Sequence, residues 1–473
     1  MALIEPVPLV GLAELGAVHF IAAGGAGMNG IAAMYAESGV LTSGSDQVDS
    51  PTLSALADAG VRTFVGHAAE QLGAAATVVV SSAVRETNPE LSEARRRGLR
   101  VWHRSAALGA LMLGRRGVAI TGTHGKTTTS AMTATLLTAA GADPSYVVGS
   151  PLTATGRSYR LGRGEAFVVE ADESDGSYRQ YPAEIVVITN VESDHLDNWG
   201  TPERYAEGFL RLATADSVAS VVISADDRGA QALTSAIRAS GKLVRTFGES
   251  PEADVQLSGL SFSGGGGTAQ LDSAGDSGLL KLAVPGRYNL HNAAAAYAVG
   301  RLLDVPGPEL RAAAGTFAGT QRRFQPVGEV PGIRIFDDYA HHPTEVAATL
   351  TAARGLVDGG RLVACFQPHL FTRTRDFATE FGQALTLADQ ILVLGIYPAR
   401  EDPIPGVTGR LVADAATAIA GAERVTYAET IDEGVTVLSG LLQPGDVVVT
   451  IGAGNVTSVG PRVLMQRAEG AAS

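Results

Sequence analysis

Residues 122 to 128 read Gly122-Thr123-His124-Gly125-Lys126-Thr127-Thr128, between the apolar run Val-Ala-Ile-Thr and a long Ala, Thr and Leu-rich stretch. A strand, a glycine loop and a helix N-terminus in that order aim backbone N–H groups at a phosphate, and the helix dipole adds attraction. In such a loop Lys126 holds the β and γ phosphates of ATP and the Thr127 hydroxyl reaches a Mg2+ ion. The loop is shorter than the usual G-x-x-x-x-G-K-[ST], because Ile120 stands five residues before Gly125.

Two acidic runs follow at the ends of apolar segments. The segment FVV leads into Glu170-Ala171-Asp172-Glu173-Ser174-Asp175, and IVVITN leads into Val191-Glu192-Ser193-Asp194-His195. Four carboxylates within six residues repel one another unless a cation or hydrogen bonds compensate them. A divalent ion beside the phosphates meets that need, with Glu170 best placed at its strand end. His195 is the candidate second metal ligand, with Asp194 as a positioning group.

Three further runs carry polar chemistry. Near the N-terminus, Gly25-Ala26-Gly27-Met28-Asn29-Gly30 is a full G-x-G-x-x-G, with Asp46 downstream in SGSD. That pattern fits a dinucleotide, the pyrophosphate of any nucleotide diphosphate, or a bare helix-packing turn. Asp337-Asp338-Tyr339-Ala340-His341-His342-Pro343-Thr344-Glu345 ends one strand and begins a helix. Capping by Thr344 or an Asp explains one residue of it at most. FQPHLFTRTRD adds His369, Arg373 and Arg375, and arginine suits bidentate recognition of a carboxylate or phosphate. The late DVVVTIGAGNV holds only G-x-G and reads as a structural turn.

The elements that position these runs follow an α/β rhythm. A chain of 473 residues divides into about three domains. The expected divisions are 1–114, 115–320 and 321–473. The expected class is α/β: an N-terminal Rossmann-like domain, a central P-loop ATPase-like domain with a β-rich excursion over 253–285, and a C-terminal Rossmann-like domain. Apolar residues at 45% against 18% charged suffice for packed cores. No internal repeat is visible.

Composition also excludes classes. A formal charge of −13 argues against a nucleic-acid partner, which needs clustered Lys and Arg, and Arg95-Arg96-Arg97 reads as a solvated helix face. The single cysteine, Cys365, forms no internal disulfide and rules out a Cys-rich zinc site. No run of about 18 apolar residues appears, and the start lacks the basic region of a secretory signal, so a cytoplasmic protein with no membrane insertion is expected.

Together, HFIAAGGAGMNG, SGSD, SSAV, GTHGKTTTS, EADESD, NVESDHLD, RYNLHNAAAA, RRFQ, DDYAHHPTE and FQPHLFTRTRD resemble, in that order, the bacterial Mur ligases. The likeness spans nearly the whole chain, and the shortened GTHGKTT loop is the form that family uses. His124, EADESD and DDYAHHPTE point to its alanine-adding branch. The chain departs from the usual first loop at Ala22 and Ala23, has Asn29 for a common Ser, and has Trp199 where Tyr is frequent.

The resemblance implies an ATP-dependent amide ligase that adds L-alanine to UDP-N-acetylmuramate in peptidoglycan precursor synthesis, releasing ADP and phosphate through an acyl phosphate. It implies two Mg2+ sites, which Mn2+ also fills, held by Thr127, Glu170 and His195, and a monomer or homodimer. The first domain then binds the UDP-sugar through Gly25, Gly27, Met28, Ser45, Asp46, His67, Ser81 and Ser82. The middle domain binds ATP through residues 122 to 128, with Asn289, His291 and Asn292 on the adenine side. The third brings Arg323 to the phosphates on closure and offers Tyr339, His341 and Arg373 to alanine. Lys126, Glu170 and His195 are the catalytic candidates, and either His341 or His195 accepts the amine proton. Three other readings compete: a sibling ligase acting on a preformed peptide, a nicotinamide-dependent dehydrogenase, and an ATP-gated regulator without an amino-acid pocket.

Overall fold

The computed structural model describes residues 3–263, 265–399 and 401–472. Three sheets carry the chain. The first holds β1 (Val18–Ile21), β2 (Thr42–Asp46), β3 (Arg62–Val65), β4 (Thr77–Val80) and β5 (Arg100–His103), all parallel, in the order β3-β2-β1-β4-β5. The order reverses at β1, and the glycine loop leaves the C-terminal end of that strand. Ligands in open parallel sheets bind at such a reversal.

The second sheet has ten strands: β6 (Arg116–Thr121), β7 (Ser145–Val147), β8 (Tyr159–Arg160), β9 (Ala166–Glu170), β10 (Ile185–Ile188), β11 (Ser220–Ser224), β12 (Leu243–Gly248), β13 (Val255–Ser263), β14 (Gly266–Ser273) and β15 (Asp276–Leu282). β6 lies between β9 and β10, parallel to both. The loop after β6 and the two acidic runs therefore leave three adjacent strands at the same end. Strands buried on both faces are continuous apolar runs, and β6, β9, β10 and β11 are such runs. The expected excursion over 253–285 is built from β13, β14 and β15.

The third sheet orders β16 (Gln325–Val330), β17 (Ile333–Asp338), β18 (Leu362–Phe366), β19 (Gln390–Leu394), β20 (Val425–Ala428) and β21 (Val447–Ile451) as β16-β17-β21-β18-β19-β20. Its pairs are parallel except β16 with β17. By packing, the described chain separates into two compact units. One is Met1–Ser258, Gln270–Leu280 and His291–Phe317, and the other is Gly259–Ala269, Lys281–Leu290 and Ala318–Ser473.

Local differences from the sequence reading have physical reasons. VVVSSA forms a strand only to Val80, and IVVITN only to Ile188, since their polar ends turn into loops. The helix Pro343–Arg354 is capped not by Thr344 or an Asp but by Glu345, which accepts from the backbone N–H groups of His341 (3.0 Å) and His342 (3.3 Å). β16, with Pro326, a register shift and no apolar alternation, gave no strand signal. Arg95, Arg96 and Arg97 are exposed, as a solvated face requires. No described helix is long and apolar enough to cross a membrane.

Cys365 lies in β18 with no exposed surface, and burial pushes its thiol up to about 12. Only the thiolate reacts. A disulfide reagent at pH 8 should label no cysteine in the folded chain and one after denaturation; rapid labelling of the native protein would show that β18 is not buried in this way.

Candidate active site

The loop after β6 is fixed by the strand beside it. The Thr123 N–H donates to the Asn190 carbonyl (3.1 Å) and the His124 N–H to Asn190 Oδ1 (2.8 Å), while the His124 carbonyl accepts from Thr189 Oγ1 (2.6 Å). Gly122 has φ +132°, and a methyl there would lie 2.0 Å from Thr189 Oγ1. Gly125 begins the helix Lys126–Ala139 at φ +81°, and a methyl there would meet Asn292 Oδ1 at 2.9 Å. Both positions demand glycine, for left-handed backbone and for space. His124 Nε2 lies 2.9 Å from Glu192 Oε2.

Lys126 Nζ donates to the carbonyls of Gly122 (2.7 Å) and Thr123 (3.0 Å) and lies 3.0 Å from each oxygen of Glu173. Burial works against its ammonium, but Glu173, Asp172 and Glu170 outweigh that and raise its pKa above the ordinary lysine value. Glu173 has no exposed surface; burial pushes its carboxyl up to about 7 against the pull of Lys126, with Asp172 adding repulsion. Asp172 is also desolvated, yet Lys126 holds it below the usual range. The sequence reading named Glu170 as the metal ligand and said nothing of Glu173, which is the lysine's partner. Glu170 ends β9 and accepts from the Gly149 N–H at 2.7 Å.

The second acidic run closes around the first. Trp199 Nε1 donates to the Glu173 carbonyl (2.9 Å), Asn198 Nδ2 to the Ser174 carbonyl (3.0 Å) and the Tyr205 hydroxyl to Glu173 Oε1 (3.2 Å). His195, at φ +53°, brings Nε2 to 3.8 Å from Glu173 Oε1 and 3.6 Å from Asp194 Oδ2. Lys126, Glu173, Asp194 and His195 thus gather at one place. Of the expected adenine-side residues, His291 Nε2 lies 2.7 Å from Glu249 Oε1, and Asn289 Nδ2 donates to the Pro285 carbonyl at 2.6 Å.

In the first sheet, Gly25, Ala26 and Gly27 are exposed and Asp46 accepts from the Gly24 N–H (2.9 Å). Met28 is buried in the core behind the loop, and Ser45 has no exposed surface. Ser45 Oγ donates to Glu90 Oε2 (2.6 Å), His67 Nδ1 lies 2.7 Å from the same oxygen, and His19 Nε2 lies 3.0 Å from Glu90 Oε1. Glu90 gave no signal, because a first-turn helix glutamate in PELSEARR reads as surface. Ser81 follows β4, and the next hydroxyl, Ser82, donates to Asp175 of the acidic run (3.3 Å).

In the second unit, Tyr339 lies under two guanidinium groups, Arg322 at 4.9 Å and Arg323 at 5.2 Å from its ring centre. The Tyr339 and His341 rings are 5.3 Å apart, and those of His341 and His369 are 5.9 Å apart. Arg373 is buried, whereas Arg375 is exposed and pairs with Asp376 at 2.7 Å. His341 Nδ1 lies 3.1 Å from the Tyr339 carbonyl. With the proton on Nδ1, the tautomer this contact favours, Nε2 carries the lone pair. Desolvation lowers His341 to about 3, with Arg373 and His369 adding to the effect against Glu345.

Two measurements test these groups. Glu173→Ala leaves the Lys126 charge buried without its partner and should cost roughly 3 kcal/mol of unfolding free energy, with Glu173→Gln losing less. A loss below about 0.5 kcal/mol, within the range of ordinary surface changes, would refute the coupling. His341 has a folded pKa below its unfolded value, so its stabilisation is full above pH 6.5 and is lost as pH falls towards 3. Between pH 7.5 and 5, His341→Asn should lose less stability than the unsubstituted chain, by up to about 2 kcal/mol; equal slopes would contradict it.

Comparison with known proteins adds to this geometry. Residues 17–116 match the model of the Mur ligase family, catalytic domain, residues 120–300 the Mur ligase middle domain, and residues 322–454 the Mur ligase, glutamate ligase domain. The chain is 59% identical over 474 residues to the UDP-N-acetylmuramate–L-alanine ligase of Cutibacterium acnes, covering 100% of both chains. It is 50% identical to the protein of that name from Kineococcus radiotolerans, over 97% of this chain and 98% of the other. The crystal structure of the UDP-N-acetylmuramate-alanine ligase from Thermotoga maritima is 28% identical with a TM-score of 0.79, covering 96% and 99% of the two chains. A murein peptide ligase from Psychrobacter arcticus is 25% identical with a TM-score of 0.68, covering 95% and 98%. With a phosphate loop, two acidic runs and end-to-end likeness to these proteins, the chain belongs to the Mur ligase family.

Proposed function

We propose that this chain joins L-alanine to the carboxylate of UDP-N-acetylmuramate, consuming ATP and releasing ADP and phosphate, as a step in peptidoglycan precursor synthesis. The observation that carries the reading is Lys126, anchored on Glu173 in a glycine loop at the end of β6 and faced by the acidic run that ends β9. Residues 1–114 are assigned to the UDP-sugar, 115–320 to ATP and 321–473 to the amino acid. The first sheet offers Gly25, Gly27 and Asp46 at its reversal point to the sugar nucleotide, with Met28, Ser45, His67, Ser81 and Ser82 around them.

The acidic run fits a divalent cation. Glu170, Asp172 and Glu173 face a single ammonium, and the Thr127 hydroxyl supplies a further oxygen donor. Thr127, Glu170 and His195 would hold Mg2+ or Mn2+, which when bound neutralises phosphate charge. The rest of the chemistry lies in the chain. The muramate carboxylate attacks the γ-phosphorus and the bond to the β-γ bridging oxygen breaks, giving an acyl phosphate and ADP. Two anions must meet for this, and the Lys126 charge, held in place before they arrive, lowers that barrier. Alanine's neutral amine then attacks the acyl carbon, phosphate leaves with the electron pair of the C–O bond, and the proton shed by the nitrogen is released to solvent.

For the amino acid, Arg373 is suited to the carboxylate of alanine and His341, with its lone pair on Nε2, to the amine. A ring held at about 3 orients an amine through a hydrogen bond and does not retain its proton. Closely related amines are separated weakly, since one methyl in a pocket is worth about 1–3 kcal/mol, so glycine and serine should react slowly.

The decisive assay is phosphate release from the purified chain with ATP, Mg2+ and UDP-N-acetylmuramate, with each of the twenty amino acids added in turn. Release should require both the sugar nucleotide and L-alanine, and Lys126→Ala should reduce kcat by at least about 100-fold. Release only with a peptide would point to a sibling ligase, and release indifferent to amino acids would remove the ligase reading.

A further inference from the structure

Arg104 opens the helix Arg104–Met112 directly after β5, and no motif drew attention to it. A cation in the first turn opposes the helix dipole, so the helix gains nothing from its charge there. The side chain is half-buried and lies across the exposed first glycine loop: a methyl added at Gly27 would sit 3.2 Å from Arg104 Nη1 and 3.4 Å from Cζ. Glycine at position 27 is what leaves room for the guanidinium against the loop.

Other half-buried arginines of the same unit are satisfied. Arg116 pairs with Glu184 at 2.8 Å, and Arg179 donates to the Ile4 carbonyl at 3.0 Å. Among the described residues the Arg104 side chain has no hydrogen bond and no ion pair. Five donors in a planar fork thus lie unused beside a loop of exposed backbone. The neighbouring groups do not take them up. His103 Nε2 lies 3.2 Å from Ser82 Oγ, and Asp175 accepts from Ser82 Oγ at 3.3 Å. The guanidinium therefore lies on the glycine loop, against Gly27.

We propose that Arg104 is a binding residue for the UDP-sugar, its guanidinium fork taking an oxyanion of that substrate, either the diphosphate or the muramate carboxylate. The inference rests on the functional reading above and assigns a residue to it. Phosphate and carboxylate offer the same paired oxygens to the fork, and both belong to the molecule that the Gly25–Gly27 loop is proposed to hold. ATP is the weaker candidate, because Lys126 already serves the phosphate loop and Arg104 lies on Gly27.

The test is calorimetric titration of the full chain and of Arg104→Ala and Arg104→Lys, each with Mg2+ and a non-hydrolysable ATP analogue, using UDP, UDP-N-acetylglucosamine and UDP-N-acetylmuramate. Arg104→Ala should weaken UDP-N-acetylmuramate on the order of 10- to 100-fold, with partial recovery in Arg104→Lys. The KM values for ATP and L-alanine should move by no more than about twofold, a split that general loosening of the fold would not give. Equal loss for all three ligands identifies the diphosphate; loss confined to UDP-N-acetylmuramate identifies the carboxylate. Thermal melts check folding, and should Arg104→Ala fail to fold, Arg104→Lys carries the comparison. Undiminished binding by folded variants overturns the inference alone, whereas failure of the unsubstituted chain to bind any of the three ligands overturns the functional reading with it.

Discussion

The site in the central sheet depends on one buried ion pair, Lys126 with Glu173. A carboxylate with no exposed surface is expensive unless a cation and hydrogen bonds meet it, and the local structure is arranged to supply both. The lysine comes from the first turn of a helix, and the Tyr205 hydroxyl and the Trp199 indole hold the glutamate from the other side. Those aromatics are packed edge-on in a cluster of Tyr178, Trp199, Tyr205 and Phe209. Gly208 permits the cluster, since a methyl there would lie 2.3 Å from the Trp199 ring. The loop cannot shift without either parting this pair or breaking the aromatic packing, so the backbone of the glycine loop is held in one arrangement.

A second buried carboxylate organises the first sheet by a different route. Among the described residues Glu90 pairs with no arginine or lysine; two histidines and a serine hydroxyl contact it, and their hydrogen bonds outweigh burial to hold its carboxyl below the usual range. Ser45, which joins this network, is the residue before Asp46 in β2. Ser45 and His67, read from the sequence as ligand contacts, spend hydrogen bonds on this buried support. The residues proposed to meet the sugar nucleotide are therefore backed by a hydrogen-bonded polar layer.

Much of the fold was legible because buried parallel strands are continuous apolar runs. VAIT, FVV, IVVI and VVVTI each became a strand, and the chemistry-bearing runs left their ends. What escaped has a common cause: contacts made across long sequence separations leave no local pattern. That Glu173 of EADESD is the carboxylate paired with Lys126 left no local sign, because the pairing depends on which carboxylate turns towards a lysine 47 positions away. Glu90 and Arg104 belong to no sequence motif, and their positions show only once the strands and helices are packed. β16 was missed because an edge strand with a proline and a bulge needs no apolar alternation.

The first glycine loop shows how firmly strand ends dictate backbone. Ala22 stands at φ +61°, a left-handed conformation that disfavours any side chain by roughly 1–2 kcal/mol. It is held there from both sides: the Ala23 N–H donates to the Ser45 carbonyl at 2.8 Å, extending the β1–β2 ladder by one bond, and the Gly25 N–H donates to the Ala22 carbonyl at 3.2 Å. The chain must turn at this point to free the N–H groups of the loop, and the sheet imposes that turn whether or not glycine is present. The methyl group of Ala22 therefore strains the turn without redirecting it, and the exposed Gly25–Gly27 backbone that follows keeps the path a phosphate-binding loop requires.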